Sequence, residues 1–182
     1  MTDYTQVQEL SPEVLADTMI DIEVSVGGNS AGKITLEFWP NVACETVRNF
    51  VRYAAEGFYN GKTFHRVIPG FMVQGGCPTG TGTGSGPYGN IPGEFNTDPK
   101  YTHTRGVVSM ARSQNPNSAS CQFFVCHGDA GFLDGQYAAF GRMTDGDAAL
   151  DALAGVKTGG GGEGSTPMEA CTIDSMKVYS RS

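Results

Sequence analysis

Two runs of strict alternation constrain this chain more than any other feature. Ile20, Ile22, Val24 and Val26 alternate with Asp21, Glu23 and Ser25. Past the turn-forming GGNSAG, Ile34, Leu36 and Phe38 alternate with Lys33, Thr35 and Glu37. A period of two sends successive side chains to opposite faces, so the pair reads as a β-hairpin with one apolar and one wet face. Such a face must be covered, and 182 residues suffice to do so within one domain. Glycine supplies 26 of them, which favours turns and short strands over long helices.

The rest of the chain fits that frame. A helix is expected after Pro40, with Asn41 as its cap, Val47, Phe50, Val51 and Ala54 as its apolar face and Gly57 as its stop. Short apolar runs follow at Phe64–Val67, Met72–Gln74, Val107–Met110, Phe123–Cys126 and Ala138–Arg142, separated by turn-rich segments. A second helix is expected from Thr144 or Asp145, with Asp145 and Asp147 at its positive end, Leu150, Leu153 and Ala154 facing inward and Gly155 ending it. TGGGGEGSTP reads as a flexible loop, since only one strand, CTIDSMKVY, follows. Residues 1–18 read as an N-terminal extension outside the core, with a helical turn starting at Pro12, and residues 19–182 as the domain. Seven or eight strands with two helices fit a small closed antiparallel barrel with helix-covered ends.

Charge and composition remove several function classes. A formal net charge of −7 and no basic run argue against nucleic-acid binding. The N-terminus lacks the pattern of a signal peptide, and no stretch is apolar enough to span a membrane. The 5 cysteines form no C-x-x-C pair and read as free thiols, so a cytoplasmic, soluble monomer is expected. Gly84, Gly86 and Gly89 match G-x-G-x-x-G, but Pro87 and Pro92 forbid the helix a dinucleotide site needs. GDAG at 128–131 holds Ala130 where a serine nucleophile would stand, and DGDAALD at 145–151 has Ala149 in place of the third oxygen ligand of a calcium loop and lacks its glycine. His65, His103 and His127 are too far apart in sequence to form a zinc motif, and Trp39 beside Pro40 reads as packing.

Against that background, FHRVIPGFMVQGG at 64–76 resembles the central motif of the cyclophilin-type peptidyl-prolyl cis-trans isomerases. PYGNIPGEF at 87–95, GVVSMARSQNPNSASCQFFV at 106–125 and FLDGQYAAFG at 132–141 resemble further family blocks in the family's order. The resemblance spans roughly residues 19 to 179. It implies a mainly β fold: a closed eight-stranded antiparallel β-barrel capped by two α-helices.

The chemistry it implies needs no nucleophile, metal or cofactor. Amide resonance sets a barrier of roughly 20 kcal/mol to rotation about an X-Pro bond. At the twisted midpoint the nitrogen lone pair localises and becomes a better hydrogen-bond acceptor. An enzyme need only bind that state more tightly than either planar one, and an acceleration of about 10⁵ takes about 7 kcal/mol. The resemblance makes Arg66 the catalytic donor, with Gln74 beside it. It assigns the proline slot to Phe71, Met72, Phe124 and Leu133, with Phe132 and Tyr137 as walls, and the grip on the peptide backbone to Gln74, Gln122, Ala111 and Arg112. Read singly, these are ordinary strand and core residues; the motif singles them out. Phe132 stands where animal-type members carry tryptophan and lacks the indole N–H, so weak cyclosporin binding is implied. Tyr137, Arg112 and Cys121 also depart from common family residues, and His65 reads as a satisfied structural histidine. The expected partners are proline-containing peptides and unfolded or flexible protein segments. A chaperone-like peptide-binding module with weak or no catalysis is the alternative, although such a module would have no need of Arg66.

Overall fold

The computed structural model describes residues 1–160 and 164–181, and in it the hairpin forms as the alternation requires. β1 (Thr18–Val26) and β2 (Asn29–Phe38) pair antiparallel, from Met19 opposite Glu37 to Val26 opposite Asn29. Only Gly27 and Gly28 remain for the turn, at φ 57° and 83°. Positive φ at both positions suits a two-residue turn whose twist matches the flanking strands, so the turn is shorter than GGNSAG suggested. Ile20, Ile22, Val24, Ile34 and Leu36 are wholly buried on the inner face.

The other strands are β3 (Phe64–Ile68), β4 (Met72–Gly75), β5 (Val107–Met110), β6 (Phe123–Cys126), β7 (Ala139–Asp145) and β8 (Cys171–Ser180). They join β1 and β2 in one 8-stranded antiparallel sheet, ordered β3-β4-β6-β5-β7-β2-β1-β8. The sheet curls until its edge strands approach, but the fully closed barrel expected from the sequence does not form. Among the described residues, β3 and β8 are joined near one end. Thr63 bridges Thr172, Gly61 N–H donates to Ile173 O (2.7 Å), and Ile173 N–H donates to Lys62 O (2.7 Å). The reason is strand length and competition. β3 has 5 residues against 10 in β8, and Val67 N–H on β3 is taken by Ser165 O (2.8 Å) from the loop preceding β8. A loop, rather than a strand, covers that part of the edge.

α2 (Pro40–Ala55) buries Val47, Phe50, Val51 and Ala54 over the curl. The Phe50 ring lies 5.0 to 5.9 Å from those of Phe38, Tyr59, Phe123 and Phe140. Asn41 does not cap this helix; its side-chain amide donates to Tyr101 Oη (2.7 Å). The first turn breaks at Ala43, φ −146°, and the N–H groups of Glu45 and Thr46 beyond the break donate to the Glu94 carboxylate at 3.3 and 2.6 Å. The cap therefore comes from the GEF end of a distant loop. α3 (Asp147–Ala154) follows Gly146, buries Leu150, Leu153 and Ala154, and ends at Gly155; Asp145 closes β7 instead.

Residues 1–18 do not lie outside the core. α1 (Pro12–Ala16) is capped by Ser11 and follows a 3₁₀ turn, and both pack against α2. Val7 (2% exposed) and Leu15 (0%) belong to the same apolar cluster as the sheet interior, and Arg48 of α2 donates to Leu10 O (2.8 Å). Two apolar side chains in so short a stretch carry no periodicity, which is why the sequence hid this contact. The loop at 158–167 is held at its ends, where Gly159 N–H donates to Thr166 O (2.9 Å) and Thr158 bridges Pro167. The part of the flexible-loop expectation that falls on residues 161–163 lies outside the described residues. All five cysteines are free thiols, and among the described residues no helix is long and apolar enough to cross a membrane.

Candidate active site

The strands β3, β4, β6 and β5 carry apolar residues on both faces. Val67, Val73, Val125 and Val108 lie opposite one another across the ladder and point into the curl. The alternate positions point outward. Arg66 lies opposite Gln74, Gln74 opposite Phe124, and Phe124 opposite Ser109; beside this row Ile68 lies opposite Met72 and Met72 opposite Cys126. Side chains directly opposite in an antiparallel pair share a face, so the register alone sets a guanidinium and a carboxamide beside an apolar floor.

That floor is a second apolar cluster, separate from the interior one. Met72, Phe124 and Leu133 are 1%, 4% and 8% exposed, and Val107, Cys126, Ala130 and Ala139 seal it from below. Above it opens a groove of about 590 Å³. Every site residue expected from the sequence lines this groove except Gln122: Arg66, Phe71, Met72, Gln74, Ala111, Arg112, Phe124, Phe132, Leu133 and Tyr137. Phe71 and Phe132 form one lip with ring centroids 5.6 Å apart, and Phe132 is 67% exposed. Tyr137 stands edge-on to Phe124 at 6.1 Å. Trp39 does not line the groove, but it packs against the cluster beneath and against the Tyr101 ring (5.0 Å).

The polar side is a relay of hydrogen bonds. Arg66 Nη1 donates to Gln74 Oε1 (3.3 Å), and Gln74 Nε2 donates to Gln122 Oε1 (3.3 Å). Gln122 Nε2 donates in turn to the carbonyls of Gly82 (3.0 Å) and Gly84 (2.9 Å). Gln122 thus faces an adjoining cavity of about 370 Å³, and its amide holds the glycine loop. Ala111 N–H is bonded to Gln122 O (3.0 Å). The Arg112 guanidinium folds back onto the carbonyls of Gln136 (2.8 Å) and Ser113 (2.9 Å) and over the Tyr137 ring (4.7 Å), so it stiffens that wall.

Support comes from groups with no motif of their own. Beneath Phe124 the buried His103 ring stacks at 6.1 Å, bonded to Asp134 Oδ1 (2.7 Å) and Ser109 Oγ (2.9 Å). Burial holds His103 below the usual imidazole range against the opposing pull of Asp134. Burial would raise the Asp134 carboxyl, but hydrogen bonds from Thr102 and His103 prevail and hold it below the usual carboxylate range. His65 is not the satisfied histidine expected: its Nδ1 is buried without a partner. Burial, then the neighbouring Arg66 cation, lowers its pKa, which leaves Arg66 as the positive group at this end of the groove.

The glycine loop is anchored by Cys77. Its Sγ receives the N–H groups of Gly82 (3.3 Å) and Gly84 (3.4 Å) and bonds Thr79 Oγ1 (3.3 Å). Burial alone would raise this thiol, but those bonds bring it from 9.0 down to about 6. Burial pushes Cys121 and Cys126 up to about 11 and 12. The groove residues missed by the sequence reading are His65, Thr81, Gly82, Ser165 and Thr166. Thr81 and Gly82 sit in what reads as an ordinary surface loop, and Ser165 and Thr166 arrive beside the long-range bond from Val67 N–H to Ser165 O. Neither leaves a local signal.

The arrangement offers an open trough with an apolar slot, a fixed cation at its edge and hydrogen-bonding carboxamides. It can bind an extended chain and stabilise a developing lone pair without covalent chemistry. Comparison with known proteins agrees. Residues 19–178 match the family model for cyclophilin type peptidyl-prolyl cis-trans isomerases. A peptidyl-prolyl cis-trans isomerase of Synechococcus elongatus is 48% identical over 128 residues, covering 70% of this chain and 84% of the relative. One from Helicobacter pylori is 43% identical over 159 residues, covering 87% and 93%. A crystal structure of a Cryptosporidium parvum cyclophilin superposes with a TM-score of 0.78 at 28% identity, covering 90% of this chain and 98% of that one. A second structure of that protein, in the presence of the dipeptide Ala-Pro, gives 0.77 at 30% identity over 89% and 99%. With motif order, sheet topology and sequence identity in agreement along most of its length, this chain belongs to the cyclophilin-type peptidyl-prolyl cis-trans isomerases.

Proposed function

We propose that the groove over Met72 and Phe124 is where this peptidyl-prolyl cis-trans isomerase turns an X-Pro bond. Phe71, Met72, Phe124 and Leu133 hold the proline ring, with Phe132 and Tyr137 at the rim. Arg66 directs an N–H toward the prolyl nitrogen as its lone pair localises. That interaction is strongest at the twisted midpoint, so it lowers the barrier rather than merely tightening binding. Gln74 fixes the guanidinium and can exchange hydrogen bonds with the swinging carbonyl. Gln122 acts one step back, holding Gln74 and the glycine loop, while Ala111 and Arg112 edge the trough along which the peptide lies.

The observation that supports this reading is the cross-strand row Arg66, Gln74, Phe124, which sets a guanidinium, a carboxamide and an aromatic ring along one groove. An open groove suits X-Pro bonds in unfolded or flexible segments, and the free thiols fit a cytoplasmic setting. Phe132 brings a ring but no N–H to the lip, so cyclosporin should bind weakly. We further assign residues 1–18 to the same folding unit as 19–182, since Val7 and Leu15 fill its core. A protease-coupled or NMR-exchange assay on an Ala-Pro peptide tests the mechanism. Arg66→Ala should lose most turnover while peptide affinity falls only modestly. Equal turnover in the two proteins would remove Arg66 from its role and favour a binding module.

A further inference from the structure

Phe71, one lip of the groove, stands on a tight turn at Pro69–Gly70 that has little packing of its own: both turn residues are exposed. Gly70 has φ 78°, and Phe71 N–H closes the turn on Ile68 O (3.0 Å). The turn is instead gripped from the segment after β6. Gly70 N–H donates to His127 Nδ1 (2.8 Å), and His127 N–H donates to Phe71 O (2.8 Å). The contact is so close that a Cβ on Gly128 would lie 2.2 Å from Gly70 O. His127 Nε2 meets Asp151 Oδ1 (2.9 Å) on α3, and Arg105 bonds both Asp151 (2.9 Å) and His127 O (3.2 Å).

A backbone N–H can only donate, so His127 Nδ1 must present its lone pair to Gly70. The ring proton then sits on Nε2, where the Asp151 carboxylate accepts it. Asp151 therefore selects the tautomer that can hold the turn. The His127 bond, then that from Arg105, keeps the Asp151 carboxyl below its usual range.

We infer that His127, with its tautomer set by Asp151, is a positioning residue for isomerisation: it clamps the Pro69–Gly70 turn and so holds Phe71 against the proline ring. His127 does not line the groove, so its influence passes through the turn. Slack in that lip weakens ground-state and transition-state binding alike, which raises KM more than it lowers kcat.

Asparagine places a side-chain oxygen near the Nδ1 position, whereas glutamine places its polar atoms near Nε2. The test is therefore a set of variants, assayed with an Ala-Pro peptide and paired with thermal melts and the hydrogen exchange of the Gly70 amide. His127→Asn should keep Gly70 protected and kcat/KM within about twofold. His127→Gln should lose the protection and raise KM about fivefold with kcat nearly unchanged. Asp151→Ala, remote from the groove, should raise KM in the same direction by a smaller factor. Unchanged KM in His127→Gln, or equal losses in the asparagine and glutamine variants, would overturn the assignment in favour of a purely structural role. Because wild type is run in the same assay, its inactivity would count against the enzyme reading itself, separately from the clamp.

Discussion

The two faces of β3, β4, β6 and β5 draw on alternate residues of the same four strands and do opposite work. Inward, Val67, Val73, Val125 and Val108 join a core closed by α2 and the long hairpin, with Phe123 in ring contact with Phe50, Tyr59 and Phe64. Outward, Met72 and Phe124 are nearly as well buried, yet the layer above them ends in Phe132, two-thirds exposed. One apolar face is covered by the protein's own elements; the other lies under an open groove. An apolar floor under an open groove, edged by Arg66 and Gln74, is what the proposed peptide site requires.

Neighbouring substitutions should separate the two faces. The largest effect is expected on the inner one: Phe123→Ala should cost about 3–5 kcal/mol of stability, seen as a shifted denaturation midpoint, while protein still folded at low temperature turns over near normally. On the outer face, Arg66→Ala should lower kcat/KM by about 10²–10³ and move the unfolding free energy by less than about 1 kcal/mol. A large stability loss there would mean that Arg66 belongs to the framework and would erase the contrast.

Acid should probe the layer beneath the floor. His103 has a folded pKa below its unfolded value of about 6.5, because burial favours the neutral ring. The unfolded chain therefore takes up the proton first, and the stability His103 contributes is lost as pH falls below about 6.5 toward the folded value. Asp134 is likewise depressed, from an unfolded value of about 3.9, so its contribution goes only in stronger acid, as pH falls through its folded pKa. Urea midpoints between pH 8 and 5 should slope downward in wild type and less steeply in His103→Asn, where His65 alone supplies the slope; parallel curves would show that His103 does not titrate with unfolding. The smallest effect belongs to the lip. Phe132→Ala should reduce kcat/KM by a few-fold with no change in melting temperature, since little of the ring is buried.

Much of this molecule is legible in its sequence because the signals are local and periodic. Alternation marks β1 and β2, a helical repeat at Val47, Phe50, Val51 and Ala54 marks the inner face of α2, and the motif blocks mark most of the groove lining. What remained hidden depends on single bonds between distant, irregular segments. Glu94 caps α2 from a loop, Ser165 takes the Val67 N–H and keeps the barrel from closing, Gln122 turns its amide to Gly82 and Gly84, and His127 reaches the Gly70 turn. The sequence alone settled which residues alternate, which helices form and which motifs meet. Only the folded chain decided which apolar face would be covered and which left open, because a hydrogen bond between two non-repeating stretches leaves no period in either.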